Sequence, residues 1–249
     1  MTEDILLPGL VAAAFALIHL VGARLRFLHT TPRSIWLSLA GGVSVAYVFV
    51  HLLPELAEQQ VAVARDLEGL GGFAAGIESH VYLVALAGLA AFYGLEHLAR
   101  GSAKEECEAG RDARPPSGVF WVHLVSFALY NLLIGYLLVH REDPGLGALA
   151  AYAVAMGLHF LVNDQSLRKH HGRAYDKAGR WLLAAAPLAG WALGAATHIS
   201  DLLLFALFAF LAGGVILNVL KEELPEDRES RFWAFAAGAG AYAVLLLMA

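Results

Sequence analysis

The chain has 249 residues, of which 59% are hydrophobic, whereas ordinary soluble domains have roughly 45–50% by a similar count. Only 16% are charged, with 17 Lys and Arg against 22 Asp and Glu and a formal net charge of -5. This lack of positive charge excludes a nucleic-acid-binding role. The single cysteine, Cys107, excludes an intrachain disulfide and any Cys-x-x-Cys motif, so His, Asp, Glu and Asn are the available metal ligands.

Apolar windows recur along the whole chain, and about 20 such residues are enough for a helix to cross a bilayer core of roughly 30 Å. Ala, Gly and Leu dominate these windows, which fits helices better than the alternating strands of a β-barrel. We therefore predict an all-α polytopic membrane protein. It forms a single transmembrane domain over residues 1–249, with a flexible cytoplasmic linker at about 100–116. The eight predicted spans are 5–24, 34–54, 79–98, 117–139, 146–167, 181–198, 201–220 and 232–249.

The positions of Lys and Arg predict the orientation, because short loops rich in these residues stay in the cytoplasm. All of them except Arg65 and Arg141 lie in the connections that follow spans 1, 3, 5 and 7. We therefore expect both termini on the extracytoplasmic side, in a bacterial inner (plasma) membrane. The acidic start of the chain lacks the basic region of a cleavable signal peptide, which agrees with a translocated N-terminus.

One short pattern occurs twice. Gly41-Gly42-Val43 precedes Leu53-Pro54-Glu55 in span 2, and Gly213-Gly214-Val215 precedes Leu224-Pro225-Glu226 at the end of span 7. Span 2 leaves the membrane outward and span 7 inward, so the copies have opposite orientations, as in the inverted repeats of secondary transporters. We predict a repeat that relates spans 1–3 to spans 6–8 around spans 4 and 5. Chance occurrence of these residues at helix ends is the alternative.

These motifs resemble the ZIP (Zrt/Irt-like) family of divalent-metal transporters. The resemblance lies in Gly42 to Glu55 of span 2, Gly88 to His97 of span 3 and Gly213 to Glu226 of span 7. It implies eight spans with both ends outside. It also implies a moving, metal-carrying unit of spans 1, 4, 5 and 6, and a more static, dimer-forming unit of spans 2, 3, 7 and 8.

The chain departs from the family in spans 4 and 5, which carry the transport site there. In span 4 it keeps Asn131, but Tyr130 stands in place of a histidine and Ile134 in place of an acid. Span 5 keeps His159, while Phe160 replaces a ligand and the terminal acid is Asp164. The static half of the family pattern is therefore the better preserved half.

The remaining polar residues of spans 4 and 5 are the candidate metal ligands. His159 and Asn163 lie four residues apart and so share a helix face, with Asp164 rotated slightly away and Asn131 on span 4 available to complete the site. These N and O donors suit Zn, Mn, Fe or Co, at low affinity because only one carboxylate is present. The alternative is that they form interhelical hydrogen bonds, with Asp164 paired to Arg168 one turn further on.

Further polar residues lie near the span ends, where they can attract and release an ion or simply be solvated. On the outer side we expect access to the metal site through His51, Glu55, His80, His198 and Asp201, with Glu58, Glu78 and His140 nearby. On the inner side the candidate exit residues are Glu96, His97, His170, His171, Glu222 and Glu223.

Small residues recur at close to four-residue spacing on spans 3 and 8, which lets helix backbones approach closely in lipid. The resemblance implies that they form a homodimer interface, and packing within one protomer explains them equally well. These residues are Ala87, Gly88, Ala91, Gly94, Ala234, Ala237, Gly238 and Ala241.

The leading hypothesis is a divalent-metal cation transporter with a weak site between spans 4 and 5 that works by alternating access. The metal is then the substrate, and no organic cofactor is expected. The alternative is a ZIP-like membrane protein that has lost metal transport and serves as a scaffold, a sensor or a carrier of another solute. We do not expect an enzyme, because the sequence contains no His-Glu-x-x-His or Gly-x-Ser-x-Gly motif and no two histidines four residues apart.

Overall fold

The computed structural model describes residues 3–22, 34–66, 81–108, 117–141, 145–223 and 231–248. Within these ranges the chain is 94% helical and contains no strand. The α-helices of these ranges are α1 (Glu3–Val21), α2 (Ile35–Tyr47), α3 (Leu53–Asp66), α4 (Val81–Glu108), α5 (Ser117–Leu137), α6 (Leu146–Ala174), α7 (Arg180–Ala196), α8 (Asp201–Asn218) and α9 (Phe232–Met248). Short π-helical turns occupy Val48–Leu52, Tyr175–Gly179 and Val219–Glu223.

The apolar composition of the helices confirms an all-α integral membrane protein. In the part of the chain that is described, four helical stretches are long and apolar enough to cross a membrane: Ile35–Val61, Val81–Leu98, Leu146–Arg168 and Asp201–Lys221. Ile5–Val21, Leu124–Leu137 and Phe232–Met248 are shorter apolar helices. Large apolar side chains such as Trp36, Tyr93 and Phe232 are exposed on the outside of the bundle, where lipid would cover them.

Glycines set the closest contacts between helices. α2 packs along α9, and α4 packs along α8. A Cβ atom at Gly42 would collide with the backbone carbonyl of Phe235 on α9, and one at Gly213 with that of Ala85 on α4. Backbones approach this closely only where no side chain separates them, so these glycines fix how the two helix pairs pack.

Part of the predicted dimer surface is used inside the protomer. Gly88 of α4 lies against the backbone of Phe210 on α8, and Gly238 of α9 lies against that of Leu39 on α2. Packing within one protomer therefore accounts for these two glycines. Four small residues of the same predicted surface stay exposed, namely Ala87, Ala91, Ala237 and Ala241.

The two copies of the sequence repeat share an uncommon local structure. In each copy a π-helical turn of five residues, Val48–Leu52 or Val219–Glu223, comes directly before Leu-Pro-Glu. Proline lacks an N–H, and its ring clashes with the carbonyl four residues earlier in a regular α-helix. The wider turn before Pro54 relieves that clash, and the N–H of Leu53 bonds to the carbonyl of Val48. Residues 224–226 of the second copy lie outside the described ranges.

The predicted linker begins later than expected. α4 continues to Glu108, so the first half of the segment 100–116 is helical. The residues that follow Ser102 include Ala103, Lys104 and two glutamates, which all favour helix. Residues 109–116 lie outside the described ranges. α3 likewise continues the second span to Asp66, past its predicted end at residue 54.

The glycine contacts predict a stability effect. Gly42→Ala and Gly213→Ala should each lower the free energy of unfolding by about 1–3 kcal/mol, because the added methyl group meets backbone that cannot move aside. Thermal unfolding of the purified protein in detergent measures this. Gly94→Ala is the matched control, since nothing lies within 4 Å of a Cβ atom there. Equal melting temperatures for Gly42→Ala and Gly94→Ala would contradict the packing described.

Candidate functional site

Hydrogen bonds join α1, α5 and α6 inside the bundle. His19 Nδ1 lies 2.8 Å from Asp164 Oδ1, and His19 Nε2 lies 3.0 Å from Asn131 Nδ2. Because the Asn131 amide donates to Nε2, the ring proton on Nδ1 is directed at the carboxylate. All three residues are almost completely buried. Sequence reasoning missed His19, although it is the only ionisable residue between positions 5 and 22.

Hydrogen bonds at both ends of α1 set the position of His19. The indole Nε1 of Trp191 on α7 donates to the carbonyl of Ile5, at 2.9 Å. At the other end, Gln165 Nε2 on α6 donates to the carbonyl of Gly22, at 3.2 Å. α1 is therefore tied to α7 near its start and to α6 just after its end, which places His19 beside Asp164.

A fourth residue completes this network. The hydroxyl of Tyr175, in the π-helical turn that follows α6, donates to Asp164 Oδ1 at 2.5 Å. Burial, followed by the neighbouring Asp164 carboxylate, raises the pKa of Tyr175 well above its usual value, so the hydroxyl remains a donor. Oδ1 thus accepts two hydrogen bonds, whereas Oδ2 of Asp164 is buried without a hydrogen-bond partner.

A second hydrogen-bonded group centres on His159. The Tyr130 hydroxyl lies 3.0 Å from His159 Nε2, and Asn163 Nδ2 lies 2.9 Å from the same atom. His159 and Asn163 share a helix face, as their spacing predicts. The other ring nitrogen, Nδ1, is buried and has no hydrogen-bond partner.

The four predicted metal ligands therefore belong to two separate hydrogen-bonded groups. Asn131 and Asp164 both contact His19, whereas Asn163 contacts His159. Asp164 shares its side of α6 with Phe160, whose ring centroid lies 4.8 Å from that of His19. Throughout the described part of the chain, no group of three or more His, Cys, Asp and Glu residues is arranged to hold a metal ion.

The alternative pairing of Asp164 with Arg168 is wrong. Arg168 Nε lies 3.1 Å from Asp176 Oδ1, while Asp164 bonds to His19 and Tyr175. Asp164 points into the bundle, where it is buried, whereas both side chains of the Arg168 pair are about one-third exposed. The two carboxylates therefore have different partners, a buried imidazole for Asp164 and a partly exposed guanidinium for Asp176.

Apolar side chains enclose both groups. Ile134 and Phe160, which stand where the ZIP motifs have ligands, are completely buried. Phe160 also packs edge-on against Phe15 of α1, with ring centroids 5.0 Å apart. The polar atoms between α1, α5 and α6 are thus shut off from solvent in this conformation.

Several of the predicted outer residues surround a cavity of about 90 Å³ between α2, α3, α6 and α8, which we call the outer cavity. Four of its lining residues are polar and partly exposed, namely His51, Glu55, His140 and Arg141, and we take them as its mouth. Tyr47, Met156 and Val215 also line it and are buried, so we take them as its deep end, or floor. The walls are largely apolar.

The other predicted outer residues do not line the cavity. The ring centroid of His198 lies 5.4 Å from that of His140, so this histidine sits beside the mouth. Asp201 begins α8 and is exposed, and Glu58 is exposed on α3. Glu78 and His80 lie outside the described residues.

The predicted inner residues do not converge on one point. Glu96 Oε1 lies 2.6 Å from Lys221 Nζ, which joins α4 to the π-helical turn after α8. His97 is exposed and stacks on Tyr93. The side chains of the remaining predicted exit residues lie outside the described part of the structure: His170, His171, Glu222 and Glu223.

No protein-family model matches this chain, and no curated protein matches it. The resemblance to the ZIP family therefore rests on the sequence motifs.

The buried pair predicts a strong dependence of stability on His19. His19→Ala should lower the free energy of unfolding by about 3–5 kcal/mol, because it leaves the Asp164 carboxylate buried without its imidazole. His19→Leu combined with Asp164→Leu should restore part of that loss. Chemical unfolding in detergent micelles measures both.

Arg168→Ala is the matched control for this experiment, since its pair with Asp176 is partly exposed and such pairs contribute at most about 1 kcal/mol. If His19→Ala and Arg168→Ala destabilise the protein equally, the buried pair does not hold α1 to α6.

Proposed function

We propose that this chain is a ZIP-like transporter of divalent metal cations that works by alternating access. The observation that carries the proposal is the buried pair of His19 and Asp164 within an apolar helical bundle. Ionisable residues inside spanning helices are costly, and they mark ion or proton pathways when they occur. A carboxylate with one hydrogen-bonded and one unpartnered oxygen is the chemical group that a passing cation needs.

The donors near this pair fit the proposal. His19 supplies from α1 an imidazole that span 4 lacks, because Tyr130 stands where the ZIP motif has histidine. Asn131 and Asp164 add an amide and a carboxylate. N and O donors of this kind bind Zn, Mn, Fe or Co. Because a single carboxylate offsets only part of the charge of a divalent cation, we expect weak binding, which suits a transported ion.

We propose further that the chain has eight spans, with both termini outside and an inverted repeat. A repeat that relates spans 1–3 to spans 6–8 exchanges span 2 with span 7 and span 3 with span 8. Spans 2 and 8 contain α2 and α9, and spans 7 and 3 contain α8 and α4. The repeat therefore makes the α2–α9 pair correspond to the α8–α4 pair. Both pairs pack through glycines laid on the partner's backbone, and both copies of the motif carry a π-helical turn. These parallels support the repeat.

The second candidate function is a ZIP-like membrane protein without metal transport, acting as a scaffold, a sensor or a carrier of another solute. The complete burial of Ile134 and Phe160 favours it, since both fill ligand positions with apolar groups. In the transport proposal the same burial represents an occluded conformation. We retain a homodimer through spans 3 and 8 and a bacterial inner membrane as parts of either proposal.

Metal uptake separates the two functions. In proteoliposomes that contain the full chain, Zn²⁺ or Mn²⁺ uptake should fall by about tenfold or more for Asp164→Ala combined with His159→Ala, because ligand loss weakens metal binding by such factors. His19→Ala should cause a similar loss. Asp176→Ala is the control, since this carboxylate lies outside both hydrogen-bonded groups. If the double variant transports as fast as the unmodified chain, these residues do not form the transport site.

The proposed topology is testable with the natural cysteine. Cys107 lies in the stretch assigned to the cytoplasm, so a membrane-impermeant maleimide should label it only after cells are permeabilised. In a Cys107→Ser background, Thr2→Cys should react in intact cells, because the N-terminus is placed outside. Labelling of Cys107 in intact cells, with Thr2→Cys protected, would reverse the orientation.

A further inference from the structure

Three helices meet at the floor of the outer cavity. Tyr47 of α2, Met156 of α6 and Val215 of α8 form this floor. α2 packs against α6 and against the π-helical turn that follows α8, and α6 packs against the same turn. From mouth to floor, the lining residues run backward along the chain from Glu55 to Tyr47, and forward from Ala148 to Met156 and from Leu204 to Val215. The next turn below the floor therefore lies toward the start of α2 and toward the ends of α6 and α8.

Each of these helices carries a polar residue one turn below the floor. Ser44 precedes Tyr47, His159 follows Met156 and Asn218 follows Val215, each by three residues. Three residues advance a helix by about 4.5 Å and return close to the same face. The three polar residues therefore continue the cavity-lining faces of their helices at a similar depth.

All three side chains are buried and carry a polar atom without a hydrogen-bond partner. Ser44 is 2% exposed, His159 1% and Asn218 5%. The unpartnered atoms are Ser44 Oγ, His159 Nδ1 and Asn218 Nδ2. Buried polar groups are rarely left unsatisfied, so three at the same level below one cavity point to a ligand.

Two other buried polar side chains, in contrast, do have hydrogen-bond partners. Ser38, on the same helix as Ser44 and equally buried, accepts a hydrogen bond from the backbone N–H of Arg231 at 3.2 Å. The hydroxyl of Tyr242, also buried, donates to the carbonyl of Ala151 at 2.6 Å. These two side chains join helices, as structural polar residues do. Ser44 Oγ and Asn218 Nδ2 have no such partner.

We propose that Ser44, His159 and Asn218 form a transit site for a divalent transition-metal cation below the outer cavity. This site rests on the proposed transport function and adds α2 and α8 to the helices that handle the ion. The Asn163 amide nitrogen donates to His159 Nε2. When that amide turns so that its oxygen accepts a proton from Nε2 instead, the lone pair of Nδ1 becomes available to the metal. The Ser44 hydroxyl and the amide oxygen of Asn218, after rotation of the amide, add oxygen ligands.

The three proposed ligands suit a site that binds the metal ion weakly and releases it readily. All three ligands are neutral, so they replace water around a cation without neutralising its charge, and conduction needs binding weak enough for release. Two ligands lie on the glycine-packed pairs α2–α9 and α4–α8, and His159 lies on α6. A shift of α6 relative to those pairs would separate His159 from the other two ligands and free the ion.

The single natural cysteine permits a direct test with Co²⁺. In a Cys107→Ser background, Ser44→Cys and Asn218→Cys each place a thiolate at the site. The purified full chain with Co²⁺ should then show thiolate-to-cobalt charge-transfer absorption, and adding His159→Ala should abolish it. Ser38→Cys is the matched control, because that position is equally buried and should give no absorption.

The absence of this absorption in Ser44→Cys, with the protein eluting as a single folded species, overturns the site. Equal absorption in Ser38→Cys, or absorption that survives His159→Ala, overturns it as well. If Asn218→Cys fails to fold, Ser44→Cys carries the test, because it exchanges only oxygen for sulfur.

Uptake measurements separate this proposal from the transport function. In proteoliposomes, Asn218→Leu should raise the half-saturating Zn²⁺ concentration by about tenfold, while Ser38→Ala leaves it unchanged. Uptake by the unmodified chain without cobalt absorption in the cysteine variants refutes the transit site alone. Histidine-dependent cobalt absorption without any uptake supports the site and refutes transport.

Discussion

A carboxylate buried among apolar helices is the constraint on which this structure depends. Asp164 needs partners that can be buried with it, because an isolated charge in such surroundings is costly. His19 meets the need from α1, and Tyr175 meets it from the turn after α6. Asn131 then holds the other side of the imidazole. A single acidic group thereby fixes the relative positions of α1, α5, α6 and the connection to α7.

The rest of the bundle is held together by a different kind of contact. α2 against α9 and α4 against α8 pack through glycines on bare backbone, so they allow little adjustment. α1, α5 and α6 are joined instead by hydrogen bonds between buried side chains. Such bonds can be exchanged for bonds to an ion or to water. In the proposed transport mechanism, the glycine-packed pairs would form the fixed frame, and the hydrogen-bonded helices would form the part that moves.

Polar groups occur at several depths along one side of α6. His51, Glu55, His140 and Arg141 surround the mouth of the outer cavity, and His159 lies one turn below its floor. Beyond it, on the adjoining face of the helix, Asp164 meets His19. A cation that follows this order would meet mixed charges, then neutral donors and finally a carboxylate. Met156 and Phe160 are buried and lie between these residues along α6, so in the proposed pathway both side chains would have to move for an ion to pass.

Composition and helix periodicity were enough to predict the positions of the helices. The apolar windows predicted helices at the positions where the structure has them, and the four-residue spacing of His159 and Asn163 predicted their shared face. The duplicated Gly-Gly and Leu-Pro-Glu motifs marked two of the three places where the described residues form a π-helical turn. At Pro54 the wider turn accommodates the proline ring.

Tertiary structure alone decided which polar residues meet. Asp164 follows Asn163 by one position, yet the rotation of about 100° per residue turns it toward α1, so its partner is His19, 145 positions away along the chain. Local spacing favoured Arg168 instead, but a pairing between helices depends on how they pack. The small residues of spans 3 and 8 were equally ambiguous. They predict that another helix packs closely against each span, but they do not show which helix that is. Contacts between distant segments arise only when the whole bundle is assembled, and for that reason the sequence could propose the donors of a site but not their arrangement.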